Sequence, residues 1–172
     1  MHPDDLHRFA ELGVTYDTTG QWMGWDPILS TVTATRLGKG RANAAYPMKT
    51  VADAGGNVSL GSDFPAASYF ADYQALNAIE MATTRQVLGK PDAPRLGGEE
   101  ARVPLDLAIG ANTLGAAWGM GVDDWIGSIE VGKKADLIVL DQNLFEIDPH
   151  PISQTTVELT MMNGIIRHRN GI

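Results

Sequence analysis

The stretch Val58-Ser59-Leu60-Gly61-Ser62-Asp63-Phe64-Pro65 constrains this chain more than any other. A short β-type run ends in glycine, serine and a carboxylate, and Pro65 stops any continuation of the strand. Before it, Tyr46 to Gly56 reads as a helix with Pro47 in its first turn and glycine past its end. After it, Tyr73, Leu76, Ile79, Thr83 and Val87 recur at helical spacing, and Asp72 can cap the start. Helix, strand, acid at the strand's carboxyl end, loop and helix make one unit of an α/β architecture. In a closed βα barrel the chemistry sits at that end, where Asp63 falls.

The rest of the chain supplies more units of the same kind, then changes character. Pro3 to Leu12 reads as a helix with Asp4 and Asp5 in its first turn and Gly13 as its left-handed end. Val14-Thr15-Tyr16-Asp17 is the next expected strand. The loop after it, Thr18 to Pro27, carries Gln21, Trp22 and Trp25. Two readings stand for it: the tryptophans wall a pocket, with Gln21 and Trp22 as candidate substrate contacts, or they fill the loop's own packing.

Ser30 to Ala45 shows weak periodicity, and its Gly38-Lys39-Gly40-Arg41 patch lacks the glycine spacing of a phosphate loop, so a solvated turn is expected. Leu88 to Arg102 reads as a surface loop. Helices are expected from Pro104 and, capped by Thr113, from Leu114 to Trp118. Gly127 to Lys134 then forms a turn, Ala135 to Leu140 a strand, and Thr155 to Met162 with Ile165 to Arg169 a hairpin across Asn163-Gly164. A boundary is therefore expected near Asp124, with residues 1–124 forming the α/β part and 125–172 a small β unit.

Composition closes several classes of function. The 172 residues are 44% hydrophobic, enough for one domain with a core. A formal net charge of -8 with scattered basic residues disfavours a nucleic-acid partner. With no cysteine, thiolate catalysis and disulfides are excluded. No apolar run approaches a membrane span, and the N-terminus lacks the pattern of a signal peptide, so a soluble, cytoplasmic protein is expected. His2, His7, His150 and His168 are scattered and read as surface or turn histidines. Gly61-Ser62-Asp63 lacks a nucleophile elbow. Asp63 alone has a position suited to metal binding and proton transfer, although a turn-stabilising aspartate has the same spacing.

Gly127-Ser128-Ile129-Glu130-Val131-Gly132-Lys133-Lys134-Ala135-Asp136-Leu137-Ile138-Val139-Leu140-Asp141 resembles the tail signature of metal-dependent amidohydrolases. Leu12-Gly13-Val14, the Gly55 to Pro65 segment, and Ala111-Asn112-Thr113 with Ala116-Ala117 fall in the same family order. The branch it resembles is the amidohydrolase 3 family. The resemblance implies the C-terminal part of a (β/α)8 TIM barrel, about its last two βα units, plus the returning strands of a small β-sandwich. It implies that Asp63 binds a divalent metal, zinc, or its bridging water, and acts as general base and then general acid. The reaction implied is hydrolysis of a non-peptide carbon–nitrogen bond in a small molecule. Asp136 matches a structural tail position, and Arg85 a recurring arginine expected to form a salt bridge.

The family's His-x-His, its bridging lysine or glutamate and its further histidines have no counterpart here, and the ligand role is not carried onto His2. One carboxylate cannot hold a catalytic zinc that needs about three protein ligands. The chain alone is therefore expected to lack activity and retained metal, and to self-associate through exposed faces of the barrel remnant. The other reading is a non-catalytic binding or regulatory module of the same fold, which Trp22 and Trp25 would suit.

Overall fold

Two short β-rich runs find each other because each buries one face under helices. The computed structural model describes residues 1–66 and 72–171. β1 (Tyr16–Thr19) and β2 (Val58–Gly61) pair in parallel, with Tyr16 opposite Val58 and Asp17 opposite Ser59. Alternation along the strands sends Tyr16, Val58 and Leu60 toward the hydrophobic core. Asp17 and Ser59 share the other face, where Ser59 Oγ donates to Asp17 Oδ1 at 2.5 Å. β1 starts two residues later than expected. Val14 N donates instead to Phe9 O, closing the end of α1 (Arg8–Leu12) beyond the left-handed Gly13, so Val14 belongs to the helix cap.

Gly38 to Arg41 is a correction. The patch is exposed, as expected, but it follows a π-helix at Leu29–Thr33 and α2 (Ala34–Leu37), and in place of a turn it opens α3 (Lys39–Asn43). Polar side chains add bonds to the helical backbone here: Thr31 Oγ1 donates to Pro27 O, Thr35 Oγ1 to Thr31 O and Arg41 Nε to Leu37 O. Only Leu29 and Ala42 are buried, around Leu96, so apolar periodicity carries no signal. α4 (Met48–Asp53) then leads into β2 as expected.

α5 (Ala75–Thr84) is the central helix, with every residue from Asn77 to Thr84 buried. It starts three residues after Asp72, whose carboxylate accepts from Gln74 N and Asn77 Nδ2 and so holds the helix entry without being its cap. α6 (Leu105–Asn112) and α7 (Leu114–Gly119) follow. Thr113 takes the N-cap position of α7, but its hydroxyl makes no capping bond and donates back to Ile109 O at 2.9 Å. α7 lies so close to β2 that a Cβ on Gly115 would sit 2.2 Å from Val58 O.

β3 (Leu137–Leu140), β4 (Val157–Met162) and β5 (Ile165–Arg169) form an antiparallel sheet in that order. Asn163 and Gly164 both adopt positive φ, 51° and 75°, as the two-residue turn requires. Asp136 Oδ1 accepts from Asn163 N at 2.5 Å and Ala135 O from Gly164 N, so both residues hold the turn, and β3 begins only at Leu137. Leu144 and Ile152, past Asp124 in the chain, pack into the same cluster as Met23, Val51, Leu60 and Ile79. Glu80 Oε2 ties α5 to that segment by accepting from Ser153 N at 2.8 Å.

Arg85 is the second correction. Among the described residues it forms no salt bridge. Its fully buried guanidinium donates to three main-chain carbonyls: Leu96 O from Nε at 2.9 Å, Ala45 O from Nη2 at 2.9 Å and Tyr46 O from Nη1 at 3.2 Å. The planar fork matches carbonyls from two different loops, which one point charge could not span. Burial pushes its pKa down to about 10, against the opposing pull of Tyr16 and Tyr46, so the charge persists at neutral pH.

Two stability measurements check these assignments. Urea unfolding of Gly115→Ala should show a loss of about 1–3 kcal/mol from overpacking, whereas Gly110→Ala, with nothing near its added methyl, should gain about 0.5–1 kcal/mol. Equal effects at the two glycines would refute the close α7–β2 contact. Arg85→Met should cost about 3 kcal/mol or more by orphaning three carbonyls, and Arg85→Lys should recover only part of that.

Candidate active site

β1 and β2 end side by side, Thr19 opposite Gly61, so the residues that follow them share one end of the sheet. After β1 comes a single 3-10 turn, Gly20–Trp22. It crosses α5 at Gly20, where a Cβ would meet Ala78 Cβ at 2.6 Å; glycine is what lets the turn approach the helix. After β2 come Ser62 and Asp63. Asp63 has φ 50°, in the left-handed region that non-glycine residues enter at a cost of about 1 kcal/mol or more. Ala66 N donates to Asp63 O at 2.7 Å and Phe64 N to Ser62 Oγ at 3.3 Å, fixing that turn. The Asp63 side chain is exposed and, among the described residues, has no hydrogen-bond or ion-pair partner. Its carboxylate is available to a ligand or a proton.

Gln21 and Trp22 lie at the same end but do different work. Gln21 is fully buried, and its Nε2 donates to Asp72 Oδ1 at 3.2 Å, tying the turn after β1 to the segment entering α5. It is a tether in this chain, and its Oε1 is a buried acceptor with no partner among the described residues. Trp22 is half-buried. Its ring stands 6.1 Å from that of Tyr46 at an interplanar angle of 51°, and its Nε1 is a buried donor without a partner among the described residues.

Trp22 and Tyr46 form one corner of a cavity of about 280 Å³, completed by Asp26, Ile28, Leu29, Thr33 and Ala66. Asp26 is buried and its Oδ1 accepts from Leu29 N at 2.6 Å. Burial, helped by Asp26 and Tyr16 and opposed by Arg85, raises the Tyr46 phenol above its ordinary pKa, so it remains a neutral hydroxyl. Trp25, also half-buried, packs instead against the Leu29–Ala42–Leu96 cluster. The two readings of the loop therefore divide between its tryptophans.

Asp26 and Tyr46 are site residues that the sequence reading missed. Asp26-Pro27 before a helical run is a cap signal that could have marked the first. No local pattern marks Tyr46, whose position is set by Arg85 from a distant helix end.

These residues do not fit a catalytic metal by themselves. Among the described residues no three His, Asp or Glu side chains come together as a ligand set. His150 is half-buried beside Asp148 and Gln86, with Nδ1 2.7 Å from Asp148 Oδ1 and Nε2 3.0 Å from Gln86 Oε1, and His168 lies exposed on β5. Asp63 supplies one ligand where about three are needed.

The Gln21–Asp72 tether can be tested directly. Asp72→Ala removes the acceptor of three hydrogen bonds and should lower stability by about 2 kcal/mol in urea, while Gln21→Met, which keeps the volume, should cost less. A larger loss from Gln21→Met would mean that packing, not the tether, fixes this end of the sheet.

A sequence profile of the amidohydrolase family matches residues 1–168. The 5-methylthioadenosine/S-adenosylhomocysteine deaminase of Teredinibacter turnerae is 30% identical over 118 residues, which are 66% of this chain and 24% of that protein. The N-substituted formamide deformylase of Arthrobacter pascens is 29% identical over 165 residues, 94% of this chain and 28% of the relative. Among solved structures, an adenosine deaminase from Xanthomonas campestris with bound zinc matches 98% of this chain and 35% of its own, with a TM-score of 0.67 at 21% identity, which is a likeness of fold. The chain thus spans roughly a quarter of the length of these two sequence relatives.

Proposed function

Because the chain belongs to the amidohydrolase family, we propose that it forms the C-terminal part of a metal-dependent hydrolase acting on carbon–nitrogen bonds other than peptide bonds. On this reading residues 1–124 are the last βα units of a TIM barrel, and residues 125–172 are the returning segment of a small β-sandwich. The relatives' names support the reaction class: a deaminase and a deformylase both cleave carbon–nitrogen bonds. The zinc in the adenosine deaminase supports the metal, which in the complete enzyme would take most of its ligands from other strands.

The observation that carries the proposal is Asp63. Its carboxylate, which has no partner among the described residues, stands at the carboxyl end of β2, on a turn held by Ala66 N, beside the end of β1. There it serves as the proton acceptor for the attacking water and then as donor to the leaving nitrogen, a role worth about 10²–10⁴ in rate. The faces that the rest of a barrel, or a second copy, would cover carry exposed Val14, Trp118 and Met120.

In the full-length enzyme, Asp63→Asn should lower kcat for a small amide by about 10³-fold while leaving the unfolding midpoint within experimental error. The isolated chain, dialysed and measured by elemental analysis, should hold no stoichiometric zinc with or without Asp63→Ala. Zinc retained by the unmodified chain and lost in the variant would overturn the view that the ligand set is completed elsewhere.

A further inference from the structure

His150 joins the segment before β4 to the loop beyond α5, and the groups around its ring match only one of its protonation states. Gln86 stands on the far side of that contact. Its amide nitrogen donates to Pro91 O and Ala93 O, which can only accept, and this fixes which end of the amide is oxygen. The oxygen, Oε1, accepts from Arg95 Nη1 at 3.1 Å and faces His150 Nε2 at 3.0 Å. On the near side, Asp148 Oδ1 accepts from His150 N at 2.9 Å and lies 2.7 Å from His150 Nδ1. The backbone bond, and then the ring bond, hold the Asp148 carboxyl below the ordinary carboxylate range, so at neutral pH it is an ionised acceptor.

Both ring nitrogens therefore face oxygens that can only accept. A neutral imidazole has one N–H and must turn a lone pair toward one of them. The imidazolium has two and meets both. The other charges around the contact are already engaged. Arg95 and Arg102, in the loop opposite, both pair with Glu99, and Arg102 adds a weaker pull on the Asp148 carboxyl. Glu80 on α5 is committed to Ser153 N.

The contact also sits where a single bond matters. Leu144 and Ile152 are buried in the main core and anchor the segment at both ends. Between them, among the described residues, the His150–Gln86 bond is the only hydrogen bond from residues 145–151 to the α/β part. The same stretch walls a cavity of about 400 Å³, with Phe145, Ile147 and Pro149 on one side and Thr83, Arg102 and Leu105 on the other.

We propose that His150 is a proton-operated clasp: protonated, it ties residues 145–151 to the loop beyond α5, and on losing the proton it releases that segment at the edge of the cavity. The clasp stands apart from the reading of Asp63. Its sign follows from the donor count. The clasp adds stability on the acid side of the imidazole titration and loses it as the pH rises, within about pH 5–8. At the acid extreme it is lost again, as the pH falls through the lowered value of Asp148 and the acceptor takes up a proton.

The test uses the intact 172-residue chain, unfolded in urea at about pH 5.5 and about pH 8. His150→Ala should raise the unfolding constant about fivefold more at the lower pH than at the higher, the size of an exposed charge-assisted bond. His168→Ala, at an exposed position on β5, should show no such difference. In an Asp148→Asn background, which keeps an acceptor and removes its charge, the difference at His150 should fall below about twofold. Amide exchange of the unmodified chain, measured against the unfolded rate at each pH, reads the release directly. Protection at Glu146 and His150 should be at least about threefold lower at the higher pH, with Ser153 unchanged. This measurement needs no variant, so it decides the matter if His150→Ala fails to fold. Equal costs of His150→Ala at the two pH values, or protection at Glu146 and His150 that does not change, would overturn the proposal.

Discussion

The guanidinium of Arg85 fixes more of this structure than any other single group. It is the last residue before α5 gives way to the loop beyond, and it sits in the left-handed region, with φ 57°. From there it gathers carbonyls of residues 45, 46 and 96, joining the end of the central helix to two segments that have no strand or long helix of their own. Tyr46 also has a left-handed backbone, φ 57°, which for an aromatic residue persists only when its surroundings hold it. Its carbonyl accepts from both Arg85 Nη1 at 3.2 Å and Met48 N at 2.9 Å, so a buried cation is part of what holds Tyr46 in place.

The second constraint is that, among the described residues, the parallel sheet has two strands. A parallel pair is stable when both of its faces are covered, as in barrels and doubly wound sheets. Here the core face is covered by α5, α6 and their neighbours. The other face, carrying Asp17 and Ser59, borders an open groove of about 860 Å³ walled by Trp118 and Met120. The Asp17–Ser59 hydrogen bond satisfies polar groups on a surface that barrel strands would enclose in a larger protein. The small antiparallel sheet repeats the pattern: Ile138, Val139 and Ile166 remain exposed, whereas the β5 edge carries Arg167, His168 and Arg169, charges that discourage strand pairing there.

Much of the fold was legible because it depends on local chemistry. The β2 strand, the helix before it and the Asn163-Gly164 hairpin follow from proline, glycine and alternation over a few residues. What was not legible depends on partners distant in sequence. The helices between Leu29 and Asn43 are stitched by threonine and arginine bonds to the backbone, which leave no apolar stripe. Arg85 reads as a charge seeking a carboxylate until the three carbonyls appear, from residues about 10 and 40 positions away. At the site, Asp63 could be placed by its strand, and Trp22 by its loop. Gln21 reads as a candidate substrate contact, and its bond to Asp72, 51 residues later in the chain, has no local signal.

Asp63 also shows what a site needs besides its residues. A carboxylate open to water interacts through a high dielectric, so neighbouring dipoles and charges act on it weakly. Catalytic groups gain their power where water is excluded and the surrounding polar groups are already oriented. In this chain the orientation is present: the strand, the left-handed turn and the Ala66 bond all define where the carboxylate stands. Enclosure is absent among the described residues, where the Asp63 side chain is exposed. A single carboxylate likewise gains little as a metal ligand until others converge on the same point. Position and enclosure are thus separable properties, and this chain carries the first of them.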